Sequence, residues 1–312
     1  MKEKENFMQK TWVVWLGALI CCALWGSAFP CVKIGYELFH ISADSTASQI
    51  LFAGYRFTLA GILTLLIGSI LERKVLLPKK ESLGKICWLS MLQTVVQYLF
   101  FYIGLANTTG VKASIIEGLN VFVAILVASL IFRQEMLTGR KILGCVLGFA
   151  GVVLINLTGS GLDMSFHLKG EGFIFISTVS YAFSSVYMKR YSQKENPVVL
   201  SGWQFLLGGI IMSICGTMAG GKVSGFHVTS VTMLIYLALI SAVAYSLWGI
   251  LLKYNPISKV AVFGFMNPVC GVILSAILLK ESQQMGIESI AALILVCLGI
   301  YIVNKPQKSC KN

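Results

Sequence analysis

The sequence predicts an all-α integral membrane protein of ten transmembrane helices, arranged as two inverted repeats of five. Three observations carry this. Hydrophobic residues make up 56% of the 312-residue chain and charged residues only 12%, and the mean hydropathy of +0.80 is far from that of a soluble globular domain. Ten apolar runs can be counted, each near the roughly 20 residues that cross a hydrocarbon core as a helix. The stretch EGLNVFVAILVASLIFRQE, from Glu117 to Glu135, returns in degraded form as GFMNPVCGVILSAILLKE, from Gly264 to Glu281, about half a chain later.

The runs cover 12–39, 47–71, 85–106, 111–132, 142–157, 171–189, 198–219, 232–252, 260–279 and 285–303. The first follows Lys2, Lys4 and Lys10, is too long for a secretory signal and has no convincing cleavage site after it, so it reads as a retained helix. Sorting the 25 Lys and Arg by alternating connection puts nineteen on one side and four on the other, with Lys33 and Arg56 inside spans. By the positive-inside rule both termini are then cytoplasmic. The basic residues lie in short loops between apolar runs, so the net charge of +12 orients the chain in a bilayer and does not indicate a nucleic-acid partner. Nine cysteines, mostly inside spans and without a CxxC or Cys/His cluster, read as small buried residues, neither disulfides nor a metal site.

Five crossings per repeat force the second copy to start on the opposite face, which makes the repeats inverted and places a substrate site between them near the midplane. Other stretches pair in the same order. LWGSAFPCVK from Leu24 pairs with SYAFSSVYMK from Ser180, AGYRF from Ala53 with SGWQF from Ser201, and QYLFFYIGLANTTGVKA from Gln97 with AYSLWGILLKYNPISKV from Ala244. The organisation expected is a cytoplasmic end (1–11), a first unit (12–157), an extracytoplasmic linker (158–170), a second unit (171–304) and a cytoplasmic tail (305–312).

Carried by WGSAF with Lys33, Arg56-Phe57, the GLANTTGVKAS connection, and a Glu-ended helix followed by a glycine-rich one in each half, the chain resembles the EamA family of permeases within the drug/metabolite transporter superfamily. The resemblance spans roughly residues 12 to 304. It implies ten helices, cytoplasmic termini, a central cavity and export of amino acids or related metabolites; the place expected is the cell membrane, and neither an enzymatic activity nor a cofactor is expected.

Ionisable groups inside spans default to a functional reading. Lys33 lies near the outer end of its helix, where its stem can snorkel. Arg56 lies about 15 Å below the start of the second helix, near the midplane, and Glu117 on the fourth helix is slightly shallower. An Arg56–Glu117 ion pair is geometrically allowed, with two uses. Arg56 could receive a substrate carboxylate while Glu117 pairs with the amine or carries a coupling proton, or the pair could simply hold helices 2 and 4 together. The repeat counterparts Gln204 and Gly264 carry no charge. Repeat-related aromatics, Trp25 with Tyr181, Tyr98 with Tyr245, Phe101 with Trp248 and Tyr55 with Trp203, are candidates to line the cavity, against packing or lipid contact as the plainer account. Asn120 and Asn267 could bond the substrate or link helices, a bond of about 0.6 kcal/mol in membranes. Pro30 and Pro268 each free a backbone carbonyl and are candidate gates. Gly144, Gly148 and Gly151 have the spacing for close helix contact, with homodimer formation as the alternative use.

Other classes fit less well. His40, His167, His227, Asp44 and Asp163 fall at outer loops, away from any catalytic cluster, and no ring of charges or filter loop suggests a channel. A nucleotide-sugar carrier would want more buried basic residues, and a cation exporter an acid in helix 1. A carrier of zwitterionic metabolites, embedded in lipid and with protons as candidate co-substrate, fits best.

Overall fold

In the computed structural model the described residues are 7–42, 44–108, 110–157, 167–278 and 287–305. Among them there is no strand, and ten helical segments follow one another. These are α1 (Thr11–Leu38), α2 (Thr46–Glu72), α3 (Lys80–Leu105), α4 (110–131), α5 (Gly139–Leu157), α6 (168–192), α7 (Pro197–Met218), α8 (Val228–Tyr254), α9 (257–278) and α10 (Ile287–Asn304). By length and composition, five of them (α1, α2, α3, α7 and α8) are long and apolar enough to cross a membrane. Within α4, α9 and α10 lie the shorter apolar helices Ile115–Ile131, Ile257–Gly271 and Ile290–Asn304. The linker at 158–166, Glu281 and the first two residues of the expected tenth run lie outside the described residues.

Several helices are less regular than apolar runs suggest. α3 passes through a π turn at Met91–Val96, and α4 breaks at Leu119, between Gly118 and Asn120, before ending in a π turn at Val127–Ile131. α9 is interrupted at the corresponding place by the 3-10 stretch Val262–Phe265. Part of the cause in α9 is Pro268, which has no N–H to offer the carbonyl of Gly264. Pro30, by contrast, sits inside an uninterrupted α1.

Two seams organise the packing. α2 packs most extensively on α7, and α5 on α10. A Cβ at Gly54 or Gly216 would fall 2.5 Å and 2.6 Å from the backbone nitrogens of Ser213 and Leu51, and one at Gly61 or Gly209 would run into those of Leu206 and Thr58. Only glycine lets the two backbones come this close. The contacts step in opposite directions along the two helices, from Leu51 with Gly216 to Leu65 with Gly202, so α2 and α7 are antiparallel. Gly54 and Gly61 recur in the repeat as Gly202 and Gly209, so exchanging the halves maps the seam onto itself. α5 and α10 behave alike: Gly144 meets Val303, Gly148 meets Gly299 and Gly151 meets Val296. Repeat mates that lie antiparallel and self-paired are what a two-fold axis between inverted units produces. The remaining contacts obey it too, because α1 packs on α8 and α9 while α6 packs on α3 and α4. The glycine seam on α5 is therefore taken by α10 of the same chain and offers nothing to a second copy.

Gly61→Ala should lower stability by about 1–3 kcal/mol, the usual cost of overpacking. Gly84, with nothing within 4 Å of its would-be Cβ, should gain about 0.5–1 kcal/mol from Ala through helix propensity. Unfolding of both variants in detergent micelles checks the contrast.

Candidate functional site

Arg56 is 5% exposed on the inner face of α2. Its Nε donates to the Leu237 carbonyl at 3.3 Å and to Ser241 Oγ at 3.2 Å, and its Nη2 donates to Ser241 Oγ at 2.9 Å, all on α8. The guanidinium also lies 5.2 Å from the Phe57 ring centroid. Among the described residues no carboxylate reaches it, and Nη1 has no hydrogen bond from the chain. The hydroxyls within its electrostatic reach belong to Tyr36, Tyr98, Tyr102 and Tyr245.

The ion pair with Glu117 is not formed. Glu117 is half-buried near the break in α4, a helix that packs on α6, α5 and α9, whereas α2 is occupied by α7, α8 and α3. Equal depth along two helices does not make them neighbours, and the glycine seam assigns the close face of α2 to α7. Neither a proton coupling that runs through contact between Arg56 and Glu117 nor a tie between helices 2 and 4 is formed in this arrangement.

The aromatic candidates do converge, with two exceptions. Tyr98 and Tyr245 hydroxyls are 2.9 Å apart, so one donates to the other. Trp25 lies edge-on to Tyr245 at 5.1 Å and to Trp248 at 5.0 Å, and Phe205 lies edge-on to Tyr245 at 4.8 Å. Phe101 stands at the margin, 6.5 Å from Tyr98, and Tyr181 packs against the same cluster. Trp203 lies elsewhere, its Nε1 donating to the Leu76 carbonyl at 3.0 Å to fasten the connection after α2. Its mate Tyr55 is exposed beside Phe226.

A second set of residues meets at the paired helix breaks. Asn120 and Asn267 face a small cavity together with Tyr181, Ser185, Trp248 and Gly264, with about 10 Å³ open to the centre of a water-sized sphere. The Asn267 Oδ1 is buried without a partner. Trp25 and Trp248 thus separate an arginine–tyrosine end from an asparagine end. A cavity of this size has room for no more than about one water.

Some polar residues were not singled out by sequence reading. Lys112 pairs with Glu171 at 3.3 Å, and Glu171 also accepts from Thr108 Oγ1 at 2.6 Å, fastening the α3–α4 connection to the start of α6. At the repeat-related place Lys259 Nζ donates to the Gln9 carbonyl at 3.1 Å and Asn255 Nδ2 to that of Met8 at 3.0 Å, fastening α8–α9 to the start of α1. Lys112 and Lys259 already correspond in the matched stretches, and that correspondence was the available signal. Glu135, noted only as a repeated acid, accepts from Ser258 N at 3.0 Å and Ser258 Oγ at 2.7 Å and pairs with Lys141 at 3.2 Å. It ties the end of α4 to the start of α9. Buried amides on α3 and α7 were likewise unread, as apolar counting passes over them: Thr94 Oγ1 donates to Gln204 Oε1 at 2.7 Å, with Gln93 and Gln97 nearby on α3.

The chain matches the family model described as EamA-like transporter family over residues 11–157 and 168–305. It is 27% identical to an uncharacterized transporter of Archaeoglobus fulgidus, over 93% of this chain and 98% of that one. It is 26% identical to the uncharacterized transporter YvbV of Bacillus subtilis (92% and 90% covered) and 26% identical to a probable amino-acid metabolite efflux pump of Escherichia coli (91% and 92%). A crystal structure of a protein 15% identical superposes with a TM-score of 0.76, covering 93% of this chain and 95% of the other, and shares the fold.

Because no carboxylate loses its counter-charge, Arg56→Leu should leave the protein folded, with a thermal midpoint in detergent within about 3 °C of the parent. An Arg56–Glu117 ion pair would instead make the same change cost about 3–5 kcal/mol.

Proposed function

The chain belongs to the EamA-like transporter family, and from that premise we propose that it exports small zwitterionic metabolites, amino acids among them, across the cell membrane by alternating access, with both termini in the cytoplasm. One observation carries the substrate class. Arg56 is a buried guanidinium that no carboxylate of the described chain neutralises. A cation held this way inside a membrane protein is costly, and a carboxylate arriving with a substrate supplies the missing charge through charge-assisted, bidentate bonds. Tyrosine hydroxyls and the faces of Trp25 and Trp248 give the rest of the molecule an apolar wall with a few polar anchors.

The relative named as an amino-acid metabolite efflux pump supports this class. The nineteen-to-four bias of basic residues supports the orientation, and the ten helical segments support ten crossings with linker 158–170 outside. Five-helix units 12–157 and 171–304 rock about the two glycine seams, and the paired breaks in α4 and α9, with Pro268 in the latter and Pro30 in α1, are where helices bend. The clamp at Glu135 and Ser258 closes one end of the pathway. Asn120, Asn267, Tyr98, Phe101, Tyr181 and Tyr245 line the path. Glu117, a half-buried acid beside a break, is the candidate proton carrier. Its protonation is then coupled to the opening of α4, since no contact with Arg56 links it to substrate binding.

Counterflow of radiolabelled amino acids in proteoliposomes tests the reading. Arg56→Ala and Arg56→Lys should each slow exchange by about tenfold or more, since Lys keeps the charge and loses the planar fork. Glu117→Gln should exchange at a rate that no longer varies between acid and neutral pH. Undiminished exchange by Arg56→Ala contradicts the carboxylate assignment.

A further inference from the structure

We propose that Gln97 receives the ammonium group of the substrate and so sets a preference for zwitterions over simple carboxylates. The inference rests on the reading of Arg56 as the carboxylate site and adds the second anchor that an amino acid requires.

Gln97 follows the π turn Met91–Val96. A π turn widens the helix and is often kept where a side chain must be aimed at a site. The residue is 9% exposed, and its Oε1 is buried without a hydrogen-bond partner. One turn earlier Gln93, 2% exposed, also has an unpartnered Oε1. Gln204, by contrast, uses its Oε1 to accept from Thr94. Buried carbonyl oxygens are nearly always satisfied, and one left open asks for a donor. An ammonium group offers three.

The position is right for an α-amino acid, whose two charged groups sit on one carbon. Gln97 lies beside the Tyr245 hydroxyl, which bonds that of Tyr98 at 2.9 Å, and both tyrosines are in the electrostatic reach of Arg56. With the carboxylate on Arg56, the amine therefore points toward Gln97 and the edge of the Trp25–Tyr245 pair, where aromatic faces also favour a cation. Glu117, on a helix that does not pack on α2, is not needed for this role.

The test uses the full chain in lipid nanodiscs and two probes with the same carbon skeleton, L-leucine and 4-methylpentanoate, which lacks the amine. Binding is followed by tryptophan fluorescence, since Trp25 lies against both Tyr245 and Trp248. The wild type should bind leucine about tenfold or more tighter than the acid, as expected for a bond to a charged group. Gln97→Leu should abolish that preference while leaving affinity for 4-methylpentanoate unchanged, which also shows that the variant is folded. A preference that survives Gln97→Leu overturns the proposal, as does loss of both ligands in a monodisperse variant, or a wild type that binds neither or both alike. Arg56→Ala separates the two readings. If it binds 4-methylpentanoate as the wild type does, the carboxylate assignment fails, whereas if it loses the acid and Gln97→Leu keeps the preference, only the role of Gln97 fails.

Discussion

The close antiparallel approach of α2 and α7 through Gly54, Gly61, Gly209 and Gly216 is the contact on which the rest of the structure depends. Lipid tails are as apolar as leucine, so burying apolar surface gives helices in a bilayer little reason to associate. Dispersion between closely packed backbones does, and it falls off steeply once side chains hold helices apart. Glycines that recur from one half to the other make this seam its own mate under the exchange of halves. The α5–α10 seam repeats the arrangement at the far side of the bundle. Between these two antiparallel joints the remaining helices pair across the halves, and the space they leave is where Arg56, the tyrosines and the two asparagines collect.

That geometry explains which polar groups are paired and which are open. At the ends of the bundle the charges are spent on fastening: Lys112 with Glu171 at one place, Lys259 with the Gln9 carbonyl at its mate, and Lys141 with Glu135. Lys189 does the same work, donating to the carbonyls of Leu252 and Asn255. In the interior the pattern reverses. Arg56 has hydroxyl and carbonyl partners but no counter-ion, and Gln93, Gln97 and Asn267 keep carbonyl oxygens without donors. Unsatisfied groups cost free energy in a low-dielectric interior. Those of Gln97 and Asn267 lie where helices of the two halves meet, the place where a carrier of small polar molecules would retain them, while others, such as Gln134 and Asn304, stand at helix ends.

Much of the helical pattern was legible in the sequence because its strongest signal, apolar run length, is local. The helical ranges agree to within a few residues, as 47–71 against Thr46–Glu72 shows, and of the repeat-related aromatic pairs Tyr98 and Tyr245 are in contact. What failed was lateral placement. Arg56 and Glu117 have similar depths, yet depth says nothing about which helices are neighbours, and the glycine repeats that settle the neighbours of α2 were passed over. Trp203 matched Tyr55 in the repeat but serves a loop carbonyl, since pseudo-symmetry preserves position better than environment. The breaks at Leu119 and Val262–Phe265 were only half readable: Pro268 marks the second, whereas no residue type marks the first. Gln97 was invisible because a lone amide in an apolar run disturbs no hydropathy pattern.

The direction of the α2–α7 seam tests the account most directly. Same-end neighbours are Glu72 with Asn196, which share a hydrogen bond, and Ser48 with Lys222, whose backbone N–H donates to Ser48 Oγ at 3.0 Å. Diagonal combinations are separated by the length of the helices, about 35 Å at 1.5 Å per residue. Paired cysteines in the full chain in native membranes, joined by a short bifunctional cross-linker, should therefore link as E72C with N196C and as S48C with K222C. E72C with K222C and S48C with N196C should stay unlinked. Linking of the diagonal pairs alone would make the repeats parallel and contradict the two-fold arrangement of the halves.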